Sequence, residues 1–243
     1  MAADTKVRHI VYWDIDGTLL TTARAGVPAL EDGAEAVVGR RPELSGLNTR
    51  GMTDRMIVRS ILQSMGHPLQ DHSEDRFLAA YTEALPQRLT EKQGTVLPGV
   101  IEALDGLAAR HDVANFLLTG NMQAGAEAKL RHYGLWKYFS AGGFGEDGVD
   151  RADIARAAVA RARDRYGFRA DAGTLIGDTP YDVAAGTVVG LRVVAVTSLT
   201  HSRAELTALE PWWVVDQIPA SDDLIRRIEE ADDAVGATMP GGG

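Results

Sequence analysis

The sequence predicts an α/β protein: a parallel-sheet core with helices on both faces and a helical insertion after the first strand. Three observations point there. The apolar run His9-Ile10-Val11-Tyr12-Trp13 stops at Asp14-Ile15-Asp16-Gly17-Thr18, as a buried strand does where it enters a turn. From about Leu20 to Val96 the periodicity is helical, with no convincing strand. From Pro98 onward helical stretches alternate with short β-branched runs, the pattern of parallel strands joined by right-handed crossovers.

Within the insertion, Met56, Ile57, Ile61, Leu62 and Met65 recur at helical spacing, with Thr53 placed to cap the start of that helix and Gly66 to end it. A second helix begins near Ser73, runs through Phe77, Leu78, Tyr81 and Leu85, and is expected to stop or kink around Pro86, which has no N–H to donate. Pro98 suits the first turn of a helix to Arg110, and Val113 to Leu118 then reads as a buried strand ending in Thr119-Gly120-Asn121. Met122 to His132 follows as a helix closed by Gly134, and another spans about Ala152 to Tyr166 behind an Asp150 cap. Thr174-Leu175-Ile176-Gly177 enters Asp178, Tyr181 to Val189 is helical, and Arg192 to Val196 and Trp212 to Val215 are the last strands. The tail Met239 to Gly243 ends in three glycines and is expected to be disordered, because their ordering entropy is not repaid.

Composition narrows the function classes. With 243 residues, 45% hydrophobic and 24% charged, the chain can fold as one sizeable core or as a core plus a small module. A formal charge of −9 opposes attraction to nucleic acid or an anionic membrane. There is no cysteine, hence neither disulfide framework nor thiolate metal site. Met1 to Lys6 lacks a secretory pattern and no window approaches a membrane span, so a cytoplasmic protein is expected. No heptad or apolar stripe sets an oligomeric state.

The chemistry concentrates at strand ends. Asp14 and Asp16 lie one residue apart, so both project to one side of the strand, where two acids can divide nucleophile and acid/base work. In an open parallel sheet the carboxyl ends of strands gather at one edge, which brings Thr119-Gly120-Asn121 and Asp178 with Asp182 to the same place. So many carboxylates together call for a divalent cation, and an all-oxygen set suits Mg²⁺. Histidines 67, 72, 111, 132 and 201 show no ligand spacing, and Trp136, Trp212 and Trp213 read as packing residues.

Asp14-Ile15-Asp16-Gly17-Thr18, the strand ending in Thr119-Gly120-Asn121, and Gly177-Asp178-Thr179-Pro180-Tyr181-Asp182 together resemble the haloacid dehalogenase superfamily of aspartate-nucleophile phosphotransferases. The resemblance covers nearly the whole chain. It implies a Rossmann-like core of residues 1–20 and 97–243, with residues 21–96 as an α-helical cap domain. It further implies that Asp14 attacks phosphorus to give an aspartyl-phosphate, and that Asp16 protonates the leaving group and then activates water. For the first step Asp16 is expected to be protonated, favoured by nearby negative charge and desolvation. Mg²⁺ would be held by the Asp14 carboxylate, the Asp16 carbonyl and Asp178, with Asp182 helping. Thr119 and the N–H groups of Gly120 and Asn121 would bind phosphoryl oxygens, although the same triplet also fits a simple strand-to-helix turn capped by Asn121. Asp182 has an equally plain alternative as a first-turn acid.

The family pattern expects a lysine before the last motif to bridge the nucleophile and the bound phosphate, and none lies between Lys137 and Asp178. Arg151 occupies the matching region and is preferred for that role over Lys129, which sits well inside the preceding helix. In the insertion, Arg50-Gly51-Met52-Thr53-Asp54 resembles the G-x-T-D loop of phosphoglycolate-phosphatase-like members, which faces the active site, with Arg50 suited to an anionic group. The presence of Asp16 argues against carbon–halogen cleavage, which needs no leaving-group acid, and a phosphonate-cleaving relative would need a Schiff-base lysine, which the insertion lacks except for Lys92 near its end. The expected activity is a Mg²⁺-dependent phosphomonoester hydrolase acting on a small phosphorylated metabolite. A sugar-phosphate mutase and a non-catalytic binding protein are the alternatives.

Overall fold

The computed structural model describes residues 7–69, 72–167 and 173–238, so Met1 to Lys6 and the Met239 to Gly243 tail lie outside the described residues. Six strands form the main sheet: β1 (His9–Trp13), β4 (Val113–Leu118), β5 (Ala141–Gly143), β6 (Gly173–Gly177), β7 (Arg192–Val196) and β8 (Trp213–Val215). Their order is β5-β4-β1-β6-β7-β8, and every pairing is parallel, with Tyr12 opposite Phe116 on one side and Leu175 on the other. The chain therefore builds outward in both directions from β1. Its carboxyl end sits between those of β4 and β6, where open α/β sheets bind ligands.

Alternation along the strands produces two cores. Val11, Trp13, Leu117, Ile176 and Val194 face α4 (Val100–Ala108), α5 (Gln123–His132) and α9 (Ser221–Thr238). Ile10, Tyr12, Phe116, Leu118, Leu175 and Val193 face α6 (Arg151–Tyr166), α7 (Pro180–Val188) and α8 (Arg203–Thr207). Burial on both faces explains why these strands read as continuous apolar runs. A third core belongs to the insertion, where Ala29 and Leu30 of α1 (Gly26–Val38), Ile57 and Ile61 of α2 (Asp54–Ser64), and Phe77 and Leu85 of α3 (Ser73–Thr90) pack together.

Several expectations need correction. The insertion is entered and left through β2 (Leu20–Thr21) and β3 (Thr95–Val96), an antiparallel pair where no strand was expected, because two residues show no period. Helix α3 does not stop at Pro86 but runs to Thr90. Pro86 faces solvent, where water can take the freed carbonyl, while buried Leu85 and Leu89 and the Arg88–Asp32 ion pair hold the last turn. Helix α4 begins after Pro98, at Val100, because Gly99 adopts φ 81° and a Cβ there would sit 2.6 Å from the Ile218 carbonyl. Strand β5, Ala-Gly-Gly, carried no apolar signal at all. Trp136, Trp212 and Trp213 pack against the first core, half-buried.

Candidate active site

Asp14 leaves β1 with its N–H donated to the Ile176 carbonyl at 3.0 Å, which locks the end of β1 to β6. Gly17 then turns the chain at φ 91°, and a Cβ there would lie 2.5 Å from Asp178 Oδ2. Only glycine lets the turn approach Asp178 so closely. The result is a buried cluster in which carboxylate oxygens of Asp14, Asp178 and Asp182 all lie within 4.8 Å of one another. Thr18 Oγ1 donates to Asp178 Oδ1 at 3.4 Å.

Two buried cations divide the acids between them. The Asp150 side chain accepts from Asp153 N and starts α6, which seats Arg151 inside the site, its guanidinium 2.6 Å from Asp14 Oδ1 and 2.5 Å from Asp182 Oδ1. Lys129, two turns into α5, donates to Asp16 Oδ2 and to Asn121 Oδ1, both at 2.6 Å. The two positions weighed for one basic residue are thus both inside, with Arg151 on the Asp14 side and Lys129 on the Asp16 side. Asn121 donates from Nδ2 to Asp16 Oδ2 at 2.9 Å and to Thr119 Oγ1 at 2.8 Å, so its side chain does not cap α5. That helix is capped from elsewhere: Asp54 Oδ2 accepts from Met122 N at 2.8 Å, and Glu146 from Gln123 N.

These placements set the charge states. Burial pushes the Asp14 carboxyl up to about 6 despite Arg151, with Asp182 and Asp16 adding to the rise. Burial and the charges of Asp182 and Asp14 push Asp178 up to about 8. For Asp16, packing around the cleft pushes upward, but the charge and hydrogen bond of Lys129 and the Asn121 bond outweigh it and hold the carboxyl below its ordinary range. The expectation that surrounding negative charge keeps Asp16 protonated is therefore corrected for the ligand-free protein, because the nearest charge is an ammonium.

The donor chemistry fits a hard divalent cation. Three buried carboxylates share one cation, and Asp178 touches none among the described residues. Asp182 is already engaged, its Oδ2 accepting from Thr179 N at 3.0 Å and Thr179 Oγ1 at 2.7 Å in a capping box. Its plain role as a first-turn acid is thus real, and Asp14 and Asp178 keep the freer oxygens.

The 50–55 loop docks onto the core directly. Thr53 Oγ1 accepts from Met56 N at 3.2 Å, capping α2, and donates to the Val149 carbonyl at 2.7 Å. Asp54 N donates to Gly120 O at 2.8 Å, and Arg55 Nε to Gly145 O at 3.1 Å. Gly51, at φ 69°, lies so close to the Tyr181 ring that a Cβ would overlap it. Burial pushes Asp54 up to about 6, against the pull of Lys129. Arg50 is exposed and lines the cavity, without an acidic partner among the described residues. That cavity, about 560 Å³, lies between insertion and core and reaches Asp14, Asp16, Asn121, Lys129, Arg151 and Asp178. Tyr81 lines it too, which its position in an apolar helical stripe had disguised as pure core.

The family model of the haloacid dehalogenase-like hydrolases matches residues 11–187, from β1 through nearly the whole of α7. The chain belongs to the haloacid dehalogenase-like hydrolases. This hydrolase is 27% identical over 215 residues to "Probable phosphatase IndB" of Dickeya dadantii, covering 86% of this chain and 90% of that one. It is 27% identical over 241 residues to the phosphoglycolate phosphatase of Rhodospirillum rubrum, covering 94% and 95%. The structure of CbbY from Rhodobacter sphaeroides in complex with phosphate shares the fold with a TM-score of 0.68, at 18% identity over 87% of this chain and 94% of that one.

Proposed function

We propose that this hydrolase is a Mg²⁺-dependent phosphomonoesterase acting on a small phosphorylated metabolite through an aspartyl-phosphate on Asp14. The observation that supports it most is the division of the two aspartates. Asp14 is buried against Arg151 and the carboxylate cluster, while Asp16 opens onto the cavity with its side chain 44% exposed. That division suits a fixed nucleophile and an acid that meets the leaving group.

Asp14, Asp178 and the Asp16 carbonyl would hold Mg²⁺, with Asp182 completing the acidic surround. Bound there, the ion would offset the repulsion between the Asp14 carboxylate and a phosphoryl dianion. Asp14 attacks phosphorus and the ester P–O bond breaks, with the Asp16 carboxyl giving its proton to the departing oxygen. Asp16, now a carboxylate, takes a proton from water, whose oxygen attacks the aspartyl-phosphate and frees Asp14 and inorganic phosphate. A dianion entering beside Asp16 counteracts Lys129 and favours the protonated acid that the first step needs. Thr119 and the N–H groups of Gly120 and Asn121, at the head of α5, would bind the phosphoryl oxygens, and Arg151 would steady Asp14. Residues 21–96 would act as a cap domain over the core of 1–20 and 97–243, with Arg50, Gly51, Thr53 and Asp54 forming its contact loop and water excluded on closure.

Among the described residues no helix is long and apolar enough to cross a membrane. The experiment is phosphate release from a panel of phosphorylated metabolites with Mg²⁺, with EDTA, and with Asp14→Asn. Release that requires both metal and Asp14 supports the proposal. Turnover seen only after priming with a sugar bisphosphate would replace hydrolysis by transfer to a second hydroxyl.

A further inference from the structure

The insertion's share of the cavity wall is not built for a small acid alone. It includes Val27 and Leu30 of α1, Met52 of the contact loop, Ile57 of α2 and Tyr81 of α3. Leu30, Ile57 and Tyr81 are buried and belong to the insertion's own core, which is thus left open toward the reacting groups. Within that wall the Tyr81 hydroxyl stands alone. The residue is 2% exposed, and its hydroxyl has no hydrogen-bond partner among the described residues. It lies 3.7 Å from where a Cβ on Gly26 would be, at the head of α1, and the charges of Asp54 and Asp16 reach it. Tyr81 lines the cavity, and its hydroxyl is not among the fully buried orphan atoms, so water or a ligand in the cavity can pair with it.

Of the four cations that line the cavity among the described residues, three are already engaged within the protein. Lys129 and Arg151 are committed to Asp16, Asp14 and Asp182. Arg24 donates to the carbonyls of Ser45 at 2.7 Å and Leu47 at 3.2 Å. Arg50 remains, exposed rather than buried in the wall. A two-carbon acid phosphate would leave the apolar surface wet, whereas an apolar body gains from covering it.

We propose that the substrate is a phosphomonoester whose alcohol carries an apolar, ring-sized body against Val27, Leu30, Ile57 and Tyr81, with a hydrogen-bonding group near the ester oxygen paired to the Tyr81 hydroxyl. This rests on the phosphatase reading. The reaction is the same hydrolysis, with the body leaving as the free alcohol.

The test compares kcat/KM of the full chain with Mg²⁺ on ethyl phosphate, phosphoglycolate, 2-phenylethyl phosphate and 2-hydroxy-2-phenylethyl phosphate, all alkyl esters, so that the ratios read binding of the body. The ring ester is expected to exceed ethyl phosphate by at least about tenfold, the scale set by filling an apolar pocket. The added hydroxyl is expected to raise it again. Tyr81→Phe should abolish the hydroxyl's advantage while the ring's advantage persists, and Val27→Asp, at a half-buried position on the wall, should collapse the ring's advantage. Ethyl phosphate or phosphoglycolate turned over as well as the ring esters would overturn the proposal and leave the phosphatase reading intact. A hydroxyl advantage unchanged in Tyr81→Phe would overturn the role of Tyr81. Release from no ester would refute the phosphatase reading, and calorimetry on Asp14→Asn then decides the cleft separately. Tighter binding of 2-phenylethyl than ethyl phosphate supports it, and equal binding overturns it.

Discussion

Replacing Arg151 by methionine removes the one cation that contacts Asp14 and Asp182 among the described residues. The arginine and Asp14 side chains are each 6% exposed and that of Asp182 is 0%, so solvent cannot take over. Breaking a buried pair from one side costs about 3–5 kcal/mol, because the orphaned charge stays buried. A domain stable by about 5–15 kcal/mol can survive that loss. The cost also depends on pH. Asp14 and Asp178 stand at about 6 and about 8 when folded, above their ordinary 3.8, so stability is full below about pH 4 and is lost as pH rises through 6 to 8. Without Arg151 that slope steepens, since the positive charge that favours ionised Asp14 is gone. Urea unfolding of metal-free parent, Arg151→Met and Arg151→Lys at pH 5 and pH 8 reads this directly. The methionine variant should be weaker at both values and most at pH 8, with Mg²⁺ restoring part of the loss. A deficit below about 1 kcal/mol, or one equal at the two pH values, would refute the assignment of Arg151 as counter-charge to the cluster.

Other variants probe the neighbouring groups. Lys129→Met removes the ammonium that holds Asp16 below its ordinary range, so the alkaline limb of kcat/KM, which requires protonated Asp16, should move to higher pH; an unmoved limb would dissociate Lys129 from Asp16. Asp54 at about 6, against 3.8 unfolded, should cost about 3 kcal/mol as pH rises from 4 to 7. Asp54→Asn keeps an acceptor for Met122 N and should gain on the parent over that range in urea melts, and parallel curves would contradict the buried charge. Gly51→Val combines φ 69° with overlap on the Tyr181 ring, and should raise KM by displacing the contact loop. Adding Tyr181→Ala should recover part of the loss, and no recovery would place the damage in the backbone alone.

Much of the core was legible because its strands are buried on both faces and end in polar residues with few other uses. Val113 to Leu118 and Arg192 to Val196 appear in the structure at those bounds. Short or side-chain-poor elements were not legible: β2, β3 and the Ala-Gly-Gly strand carry no period to read. Pro86 misled because a proline's effect depends on which way it faces. At the site, sequence order brought the acids together but could not distribute the cations. Lys129 lies far along its helix in sequence, yet its long side chain reaches back toward the helix start, where Asn121 and Asp16 wait. The capping of α5 by Asp54 was equally invisible, being a contact between residues 68 apart.

Asp14 is proposed to carry the phosphoryl group. Acid-quenching the Mg²⁺-loaded protein during turnover of its best substrate, then mapping peptides by mass spectrometry, tests it most directly. A phosphoryl adduct on Asp14 is expected, absent in Asp14→Asn and accumulating in Asp16→Asn when the substrate is an aryl ester such as 4-nitrophenyl phosphate, whose departure needs no acid while no base activates water. Steady turnover with no adduct on Asp14 in either the parent or Asp16→Asn would contradict it.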